Sequence, residues 1–362
     1  MNIKEKIKKL PSSPGVYLMK DSLDTILYVG KSKNLRNRVG SYFINSKSRS
    51  PKVIKLAKNL KDFDYLLTDT EFEALLLECK LIKEMKPIYN RLLKNQKSYC
   101  YIKLEMNNKY PDFEICSEPI RSDGTLYFGP YKSKNTVSKA LTGIKEHSKI
   151  LCTNISKKSS GCPRYAMNMC IGMCTNVPSV EDYSALVEKI IKLLNGTDFS
   201  ILQEMEQNMN ICASNFDFEC AAKYRDYIRA VRHLTNTAKV ISFIDSSKNI
   251  ALAELLNDHE VKFIFMRYSK LLFMGTYNLD DSGINELKSE IKCNMAIQFG
   301  NALKKTDNIG VNEIDEVQII YSYLKSKASK CKYLPIQQQW IDTMDTLSID
   351  RAVDALISDL LN

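Results

Sequence analysis

The first 97 residues alternate between short apolar runs and amphipathic stretches, a pattern typical of a small mixed α/β domain. Two apolar runs, Gly15–Met19 and Ile26–Gly30, flank a polar connection at 20–25 and predict a β-hairpin. If residue 19 faces residue 26 across this hairpin, residue 17 faces residue 28. Tyr17 and Tyr28 would then lie side by side on one face of the sheet.

Hydrophobic periodicity predicts four further elements in this segment. They are helices at Asn34–Phe43, Lys52–Asn59 and Glu71–Met85 and a strand at Asp64–Thr68. The last helix is the most strongly patterned, and Pro87 lies directly beyond its end.

The rest of the chain changes pattern three times, so we predict an α/β multidomain protein. The predicted domains are an N-terminal domain with a small antiparallel sheet flanked by helices (1–97), a connector with a cysteine module (98–178), a helical hairpin (179–236) and a C-terminal α+β domain (237–362). In the connector we predict strands at Tyr101–Glu105 and Phe113–Cys116 and a helix at Asn135–Glu146. The C-terminal strands are expected at Val240–Ile244, Ile250–Leu256, Val261–Met266 and Leu271–Tyr277, with helices and a strand near Ile336–Ile341 to follow.

Charge is concentrated at one end of the chain. Residues 1–100 hold 21 Lys/Arg against 10 Asp/Glu, whereas the other residues hold 31 against 32. A basic excess confined to one segment indicates contact with a polyanion such as DNA, although a solvated lysine-rich face gives the same composition. No apolar stretch is long enough to span a bilayer and no signal peptide is evident, so we expect a cytoplasmic protein with no membrane partner.

Helical spacing singles out a cation beside the two tyrosines. Arg38 lies three residues after Leu35 and four before Tyr42, on the inner stripe of its helix. An inward guanidinium needs an anionic partner. Arg36 points elsewhere and is expected on the surface.

Helix 71–85 carries one glutamate on an apolar stripe. Glu78 shares that stripe with Ala74, Leu81 and Met85, whereas Glu71 and Glu73 have no such neighbours. A carboxylate on an apolar stripe is unfavourable unless it is paired or binds a metal. Glu78 is therefore a candidate metal ligand, and a structural salt bridge to Arg38 is the alternative.

Four cysteines form a second candidate site. Cys152, Cys162, Cys170 and Cys174 have the spacing C-x9-C-x7-C-x3-C, in which only the last pair is tight. Zinc modules usually use two tight pairs, and four thiolates also suit an iron–sulfur cluster. Iron–sulfur, zinc and unliganded thiols therefore remain open, in that order. The other cysteines, including Cys220, are expected to be buried thiols.

The motifs Gly15-Val-Tyr and Tyr28-Val-Gly-Lys31, with Arg38, Tyr42, the run 73–78 and Tyr89-Asn90, resemble the GIY-YIG nucleases, and more narrowly the UvrC family of bacterial excinuclease subunits. The resemblance implies phosphodiester hydrolysis with one divalent metal, Mg²⁺ or Mn²⁺, bound by Glu78. It also implies that Arg38 neutralises the phosphoryl oxygens.

The resemblance further assigns roles to the remaining polar residues. Tyr28 is our first choice of general base, with its pKa lowered by nearby cations and with Tyr17 and Lys31 orienting it; Lys31 as the base itself is the alternative. Asn90 would order the site, and Lys33 and Arg36 would contact DNA phosphates. The catalytic set is therefore Tyr17, Tyr28, Lys31, Arg38, Tyr42 and Asn90.

The same resemblance covers the cysteines and the helical hairpin. It implies a [4Fe–4S] cluster at the four cysteines. In the hairpin, Asp217 can cap a helix at Phe218–Leu234, and Phe218, Ala222 and Arg225 match the UVR motif that binds the helicase subunit UvrB.

The predicted function is therefore a DNA endonuclease that makes one incision in damaged double-stranded DNA, 3′ to the lesion, together with UvrB. The alternatives are a UvrB-independent nuclease, a non-catalytic adaptor for UvrB and DNA, and a cluster-based redox regulator. We expect no second nuclease site in residues 237–362, where a degenerate RNase H-like core is the other interpretation.

Overall fold

The computed structural model describes residues 3–43, 51–90, 99–107, 110–120, 124–150, 163–173, 180–246, 248–279, 284–302, 313–326, 331–343 and 345–361. Two compact units are present: residues 1–96 together with 243–362, and residues 97–242. The first and last of the four predicted segments thus lie in one unit, and the predicted domain boundaries stay a prediction. No helix among the described residues is both long and apolar enough to cross a bilayer.

In the N-terminal part of the first unit, residues 3–43 and 51–90 form a three-stranded antiparallel sheet with four helices. Its elements are α1 (Ile3–Lys8), β1 (Gly15–Lys20), β2 (Ile26–Ser32), α2 (Leu35–Gly40), α3 (Pro51–Asn59), β3 (Asp62–Leu67) and α4 (Glu71–Met85). The strand order is β2-β1-β3, so β2 is an edge strand beside α4. The predicted helix 71–85 is confirmed residue for residue.

The hairpin β1–β2 is confirmed, but its predicted register is wrong by two residues. Tyr17 pairs with Gly30, and Met19 with Tyr28. One residue of the shift comes from the turn, because Asp21 accepts the N–H groups of Leu23 and Thr25 and so shortens the loop to 21–25. The other comes from a bulge between the pairs at Met19 and Lys20.

The described residues of the second unit form a three-stranded antiparallel sheet, ordered β5-β4-β6, and five helices. Its elements are β4 (Cys100–Leu104), β5 (Phe113–Cys116), β6 (Leu126–Tyr131), α5 (Lys134–His147), α6 (Pro163–Ala166), α7 (Val180–Leu194), α8 (Ser200–Ser214) and α9 (Phe218–Ser246), whose last residues belong to the first unit. One core joins this sheet to α5, α7, α8 and α9. The sequence pattern did not predict β6, which contains the breaker Gly129-Pro130.

The expected strand at Val240–Ile244 is wrong, because these residues extend α9 to Ser246. Val240 is buried, and Phe243, three residues later, is partly buried against an apolar cluster, so apolar residues at helical spacing continue past the predicted end. The strand expected near Ile336–Ile341 ends at Ile336, and a short helix follows it.

The C-terminal part of the first unit is a four-stranded antiparallel sheet with helices. Its elements are β7 (Asn249–Leu255), β8 (Glu260–Arg267), β9 (Lys270–Asn278), α10 (Ile284–Ala302), α11 (Ile314–Leu324), β10 (Cys331–Ile336), α12 (Gln338–Asp342) and α13 (Thr346–Leu361), with strand order β10-β7-β8-β9. Both sheet faces are apolar. Ala251 and Phe263 pack with α10 and α13, whereas Ile250 and Ile264 point to the opposite face, towards α11.

Candidate active site

Three tyrosines meet on one face of the hairpin. Tyr17, on β1, is 1% exposed, and its hydroxyl lies 2.9 Å from that of Tyr42. The Tyr17 ring lies 6.1 Å from the Tyr28 ring and 5.8 Å from the Tyr42 ring, between centroids. The two-residue register shift keeps Tyr17 and Tyr28 as diagonal neighbours on one face, which is still within reach of aromatic rings.

Gly30 leaves the space that the packing of Tyr17 on β2 requires. A Cβ atom at this position would lie 2.4 Å from the Tyr17 hydroxyl oxygen and 2.8 Å from Cε1 of Tyr28. Since real Cβ atoms do not approach other atoms so closely, the Tyr17 ring occupies space that only a glycine leaves.

Arg38 lies beside the tyrosines, but the prediction of a buried guanidinium is wrong. Helix α2 buries Leu35 and Val39, while Arg38 is exposed at the edge of that stripe. Its Nε lies 3.4 Å from the Tyr17 hydroxyl oxygen, and its guanidinium carbon lies 5.5 Å from the centre of the Tyr42 ring. The guanidinium is therefore tethered weakly and remains accessible to an anion from solvent.

Glu78 approaches the hairpin from α4. Its carboxylate is half-buried, and Oε1 accepts the backbone N–H of Lys31 at 3.1 Å. Burial raises the pKa of this carboxyl, although the Lys31 N–H and the charges of Lys31 and Arg38 act against the rise. Within the described residues no ion pair joins Glu78 to Arg38, so the salt-bridge alternative is wrong for this structure.

Lys31 and Lys33 share one carboxylate. The ammonium group of Lys31 lies 2.5 Å from Oε1 of Glu71, and that of Lys33 lies 2.8 Å from Oε2. Burial raises the pKa of Glu71, but hydrogen bonds from the two lysines outweigh burial and hold the pKa below its usual range. Glu71 therefore orders two cations at the exposed edge of the hairpin.

Asn90 and Arg36 both bind backbone groups. The Asn90 side chain accepts the Val29 N–H at 3.0 Å and donates to the Val29 carbonyl at 2.9 Å, so it pairs with the edge strand β2 as another strand would. Arg36 is exposed, and its Nε donates to the Leu10 carbonyl at 2.6 Å.

The pKa of Tyr28 is raised to about 12, chiefly by burial and then by the nearby Tyr42 and Glu78, while Arg38 lowers it. The expectation that neighbouring cations lower this pKa below its ordinary value is therefore wrong for the protein's own cations. Lys31 does not offset burial, because its ammonium group is directed to Glu71. An additional positive charge is needed before this phenol ionises near neutral pH.

The sequence pattern missed Glu71 as a site residue because it lies on no apolar stripe. A signal for its position was present, since Thr70 and Glu73 have capping-box spacing. The Thr70 side chain accepts the Glu73 N–H, which fixes the start of α4 and places Glu71 in its first turn, opposite Lys31.

Most of the predicted cysteine site lies outside the described residues. Cys152, Cys162 and Cys174 lie outside the described residues. Cys170 is 2% exposed, carries a free thiol and accepts the Gly172 N–H at 3.5 Å. Within the described ranges no group of three or more metal-binding side chains occurs, so the ligand set stays a prediction.

The helical hairpin exposes its tip. Phe218 is 66% exposed at the start of α9, and Ala222 and Arg225 follow on that helix. The predicted cap is confirmed, since Asp217 accepts the Cys220 N–H. The expectation of a buried Cys220 thiol is wrong: the hairpin turn brings it against Cys212, with which it forms a disulfide.

Together these elements bring the tyrosines, Arg38 and two carboxylates, Glu71 and Glu78, to the β1–β2 hairpin. A β2-β1-β3 sheet that carries tyrosines on both hairpin strands, an arginine on α2 and a glutamate on α4 defines a domain of the GIY-YIG nuclease class. Family models agree along the chain: a UvrC-like GIY-YIG domain at residues 13–91, a UvrC/Cho excinuclease middle domain at 99–193 and a UvrB/uvrC motif at 200–234. The chain belongs to the UvrC family.

Known proteins of this family cover nearly all of the chain. The UvrABC system protein C of Acetivibrio thermocellus is 35% identical over 93% of this chain, and that of Clostridioides difficile is 34% identical over 93%. This chain spans 55% and 57% of their respective lengths. A solved GIY-YIG N-terminal endonuclease domain of UvrC from Thermotoga maritima, bound to magnesium, is 35% identical and matches 24% of this chain and 94% of its own, with a TM-score of 0.22.

Proposed function

We propose that this chain is a divalent-metal-dependent DNA endonuclease of nucleotide excision repair. The observation that carries the proposal is the convergence of Tyr17, Tyr28, Arg38 and Glu78 beside the β1–β2 hairpin, where Arg38 is exposed. Membership of the UvrC family supports DNA as the substrate. The excess of positive charge in residues 1–100 fits a phosphate backbone, and a chromosomal DNA substrate implies a cytoplasmic location.

The residues present fit a single magnesium or manganese ion. Oε1 of Glu78 accepts the Lys31 N–H, whereas Oε2 accepts no hydrogen bond from the described residues. Magnesium commonly binds proteins through one or two carboxylates and keeps several water molecules. We propose that Glu78 binds the ion, which would supply Lewis-acid polarisation of the scissile phosphate.

In the proposed hydrolysis, the side chains have two further roles, which are proton transfer and neutralisation of negative charge. We propose that a water oxygen attacks phosphorus while its proton passes to the phenolate oxygen of Tyr28, and that the bond from phosphorus to the 3′ oxygen breaks. Tyr17 and Tyr42, which are joined through their hydroxyl groups, hold the Tyr28 ring in place. Arg38 neutralises the negative charge that grows on the phosphoryl oxygens, and Lys31 and Lys33 with Arg36 face the DNA backbone.

We propose that damaged double-stranded DNA is presented by UvrB and cut once, 3′ to the lesion. The UVR-type match at residues 200–234 supports contact with UvrB through the hairpin. Exposed Phe218 offers an apolar anchor, and Ala222 and Arg225 would extend the contact along α9.

We further propose a [4Fe–4S] cluster held by Cys152, Cys162, Cys170 and Cys174, with zinc as the alternative. The buried Cys170 sulfur, which receives a backbone N–H, has the surroundings of a cluster ligand. Iron, sulfide and zinc analysis of anaerobically purified protein, with its visible spectrum, distinguishes the two. Cys170→Ser should lose the metal, and metal retained in full would contradict this ligand set.

Nicking of a lesion-bearing duplex tests the nuclease proposal. Glu78→Gln and Arg38→Ala should each cut about 10²-fold more slowly with Mg²⁺ and UvrB, because each loses transition-state stabilisation, while DNA binding is kept. Glu84→Gln is the matched control, since Glu84 is exposed on the same helix. Wild-type rates in both site variants would place the active site elsewhere.

The UvrB-free arm of the same assay separates the alternatives. Undiminished cutting without UvrB would favour an independent nuclease. Binding of UvrB and DNA with no cutting under any metal condition would favour an adaptor.

A further inference from the structure

Helix α4 is buried on two sides, and only one side faces the candidate active site. We propose that residues 243–362 position that site through α4, and that Lys262 on β8 is a positioning residue for the nuclease reaction. The inference rests on the proposed function and gives the C-terminal part of the chain a task. This positioning task does not require a catalytic group in residues 243–362.

Apolar contacts carry the first part of the argument. Phe72, in the first turn of α4, is fully buried in a cluster with the second face of the C-terminal sheet and with α11. Its ring lies 5.0 Å from that of Tyr323 between centroids. On the opposite side of α4, Ala74 and Ile82 pack against the β1–β2 hairpin. The helix is therefore held between two sheets of the same unit.

Ion pairs fix the position of α4 along its axis. The ammonium group of Lys262, with a side chain 7% exposed, lies 2.5 Å from Oδ2 of Asp69 and 2.9 Å from Oε1 of Glu73. Near the other end of α4, Lys83 lies 2.9 Å from Glu316 of α11. A lysine this buried needs its acidic partners. A movement of α4 that separates Lys262 from Asp69 and Glu73 is therefore energetically unfavourable.

Residues on the neighbouring turns of α4 also contact the candidate active site. Glu71 precedes Glu73 by two residues and binds Lys31 and Lys33. Glu78 lies five residues beyond Glu73, a rise of about 7.5 Å along a rigid helix, and accepts the Lys31 N–H. A small shift of α4 would therefore move the proposed metal ligand and the lysine pair together, and a misplacement of about 1 Å can slow catalysis about 10²-fold.

Substitution of Lys262 in the 362-residue chain tests the proposal. Lys262→Met removes both ion pairs, and Lys262→Arg restores the charge. Lys292→Met is the matched control, because Lys292 forms an ion pair with Asp350 between α10 and α13, away from α4. Asp69→Asn is the milder variant, since it removes the charge of one of the two acidic partners of Lys262. It serves as the test if Lys262→Met does not fold.

Three quantities are measured for each variant: kcat and KM for nicking, the midpoint of thermal unfolding, and hydrogen exchange at the Lys31 amide, whose acceptor is Glu78. Exchange at Lys31 needs neither metal nor DNA. We expect Lys262→Met to lower kcat about tenfold and to speed Lys31 exchange about tenfold, with KM nearly unchanged. Lys262→Arg should restore both, and Lys292→Met should alter only the unfolding midpoint.

Unchanged Lys31 exchange in a folded Lys262→Met or Asp69→Asn variant would overturn the positioning role. So would faster exchange with an unaltered kcat, or an equal loss of kcat in Lys292→Met. If the wild-type chain cuts no DNA, the proposed nuclease function has failed, and Lys31 exchange still decides whether Lys262 positions Glu78.

Discussion

Replacement of Gly30 by alanine should damage the candidate active site although it adds a single methyl group. The new Cβ atom would lie 2.4 Å from the Tyr17 hydroxyl oxygen and 2.5 Å from its Cζ atom. Tyr17 is 1% exposed and hydrogen-bonded to Tyr42, so its ring has no solvent-filled space into which it can move.

The contact is about 1 Å shorter than ordinary van der Waals contact, so the ring must shift by about that distance. Overpacking of this kind destabilises a core by ~1–3 kcal/mol. Loss of the hydroxyl contact between Tyr17 and Tyr42 adds about 1 kcal/mol. If the tyrosines orient the attacking water, a 1 Å displacement should slow nicking by about 10²-fold.

Gly40→Ala is the control, because among the described residues a Cβ atom there meets Ile7 alone, at 3.7 Å. Urea unfolding gives the loss of stability, and single-turnover nicking below the unfolding range gives the rate. We expect Gly30→Ala to be impaired in both and Gly40→Ala in neither. A Gly30→Ala variant with wild-type stability and rate would refute the close packing of Tyr17 on β2.

Three other predictions follow from individual contacts. Asn90→Ala should lower the free energy of unfolding by about 2 kcal/mol, since it leaves the Val29 N–H and carbonyl unpaired; urea titration checks this, and an unchanged midpoint would contradict the pairing. Burial raises the pKa of Tyr28 to about 12, and a cation at Glu78 would lower it from there; while it stays above the assay pH, the phenolate fraction grows with pH and nicking should accelerate by up to about tenfold per pH unit around neutrality, and a wild-type profile that is flat from about pH 6 to 9 would contradict Tyr28 as the base. Phe218→Ala should weaken UvrB binding about tenfold in a titration, whereas Met167→Ala, at an equally exposed apolar position outside the hairpin, should not; equal loss in both would remove the hairpin tip from the interface.

Local periodicity was sufficient to locate helices and strands whose apolar residues follow one regular spacing. The range of α4 followed from its apolar stripe and Pro87, and the β1–β2 hairpin followed from two apolar runs. The register of that hairpin did not follow, because a side-chain cap at Asp21 and a bulge each shift it by one residue. Neither device changes the apolar pattern, so an alternating sequence does not reveal them.

The burial of a side chain was harder to predict where it depends on residues far away along the chain. Arg38 has the spacing of an inward residue, yet α2 is six residues long and Leu35 and Val39 suffice to bury its inner side. Glu73 has no apolar stripe, yet Lys262, far along the chain, buries it in an ion pair. Local sequence gives the facing direction of a side chain relative to its own helix, and burial depends on what packs against that helix.

The two faces of α4 also bear on the choice between Tyr28 and Lys31 as proton acceptor. The Lys31 ammonium already donates to Glu71, so an amine acting as a base must first leave this carboxylate. Burial, Tyr42 and Glu78 oppose the ionisation of Tyr28, and the nearby Arg38 favours it. A cation bound at Glu78 would add to the effect of Arg38 on the phenol. The arrangement therefore favours Tyr28 as the base and leaves Lys31 as an oriented positive charge beside the DNA.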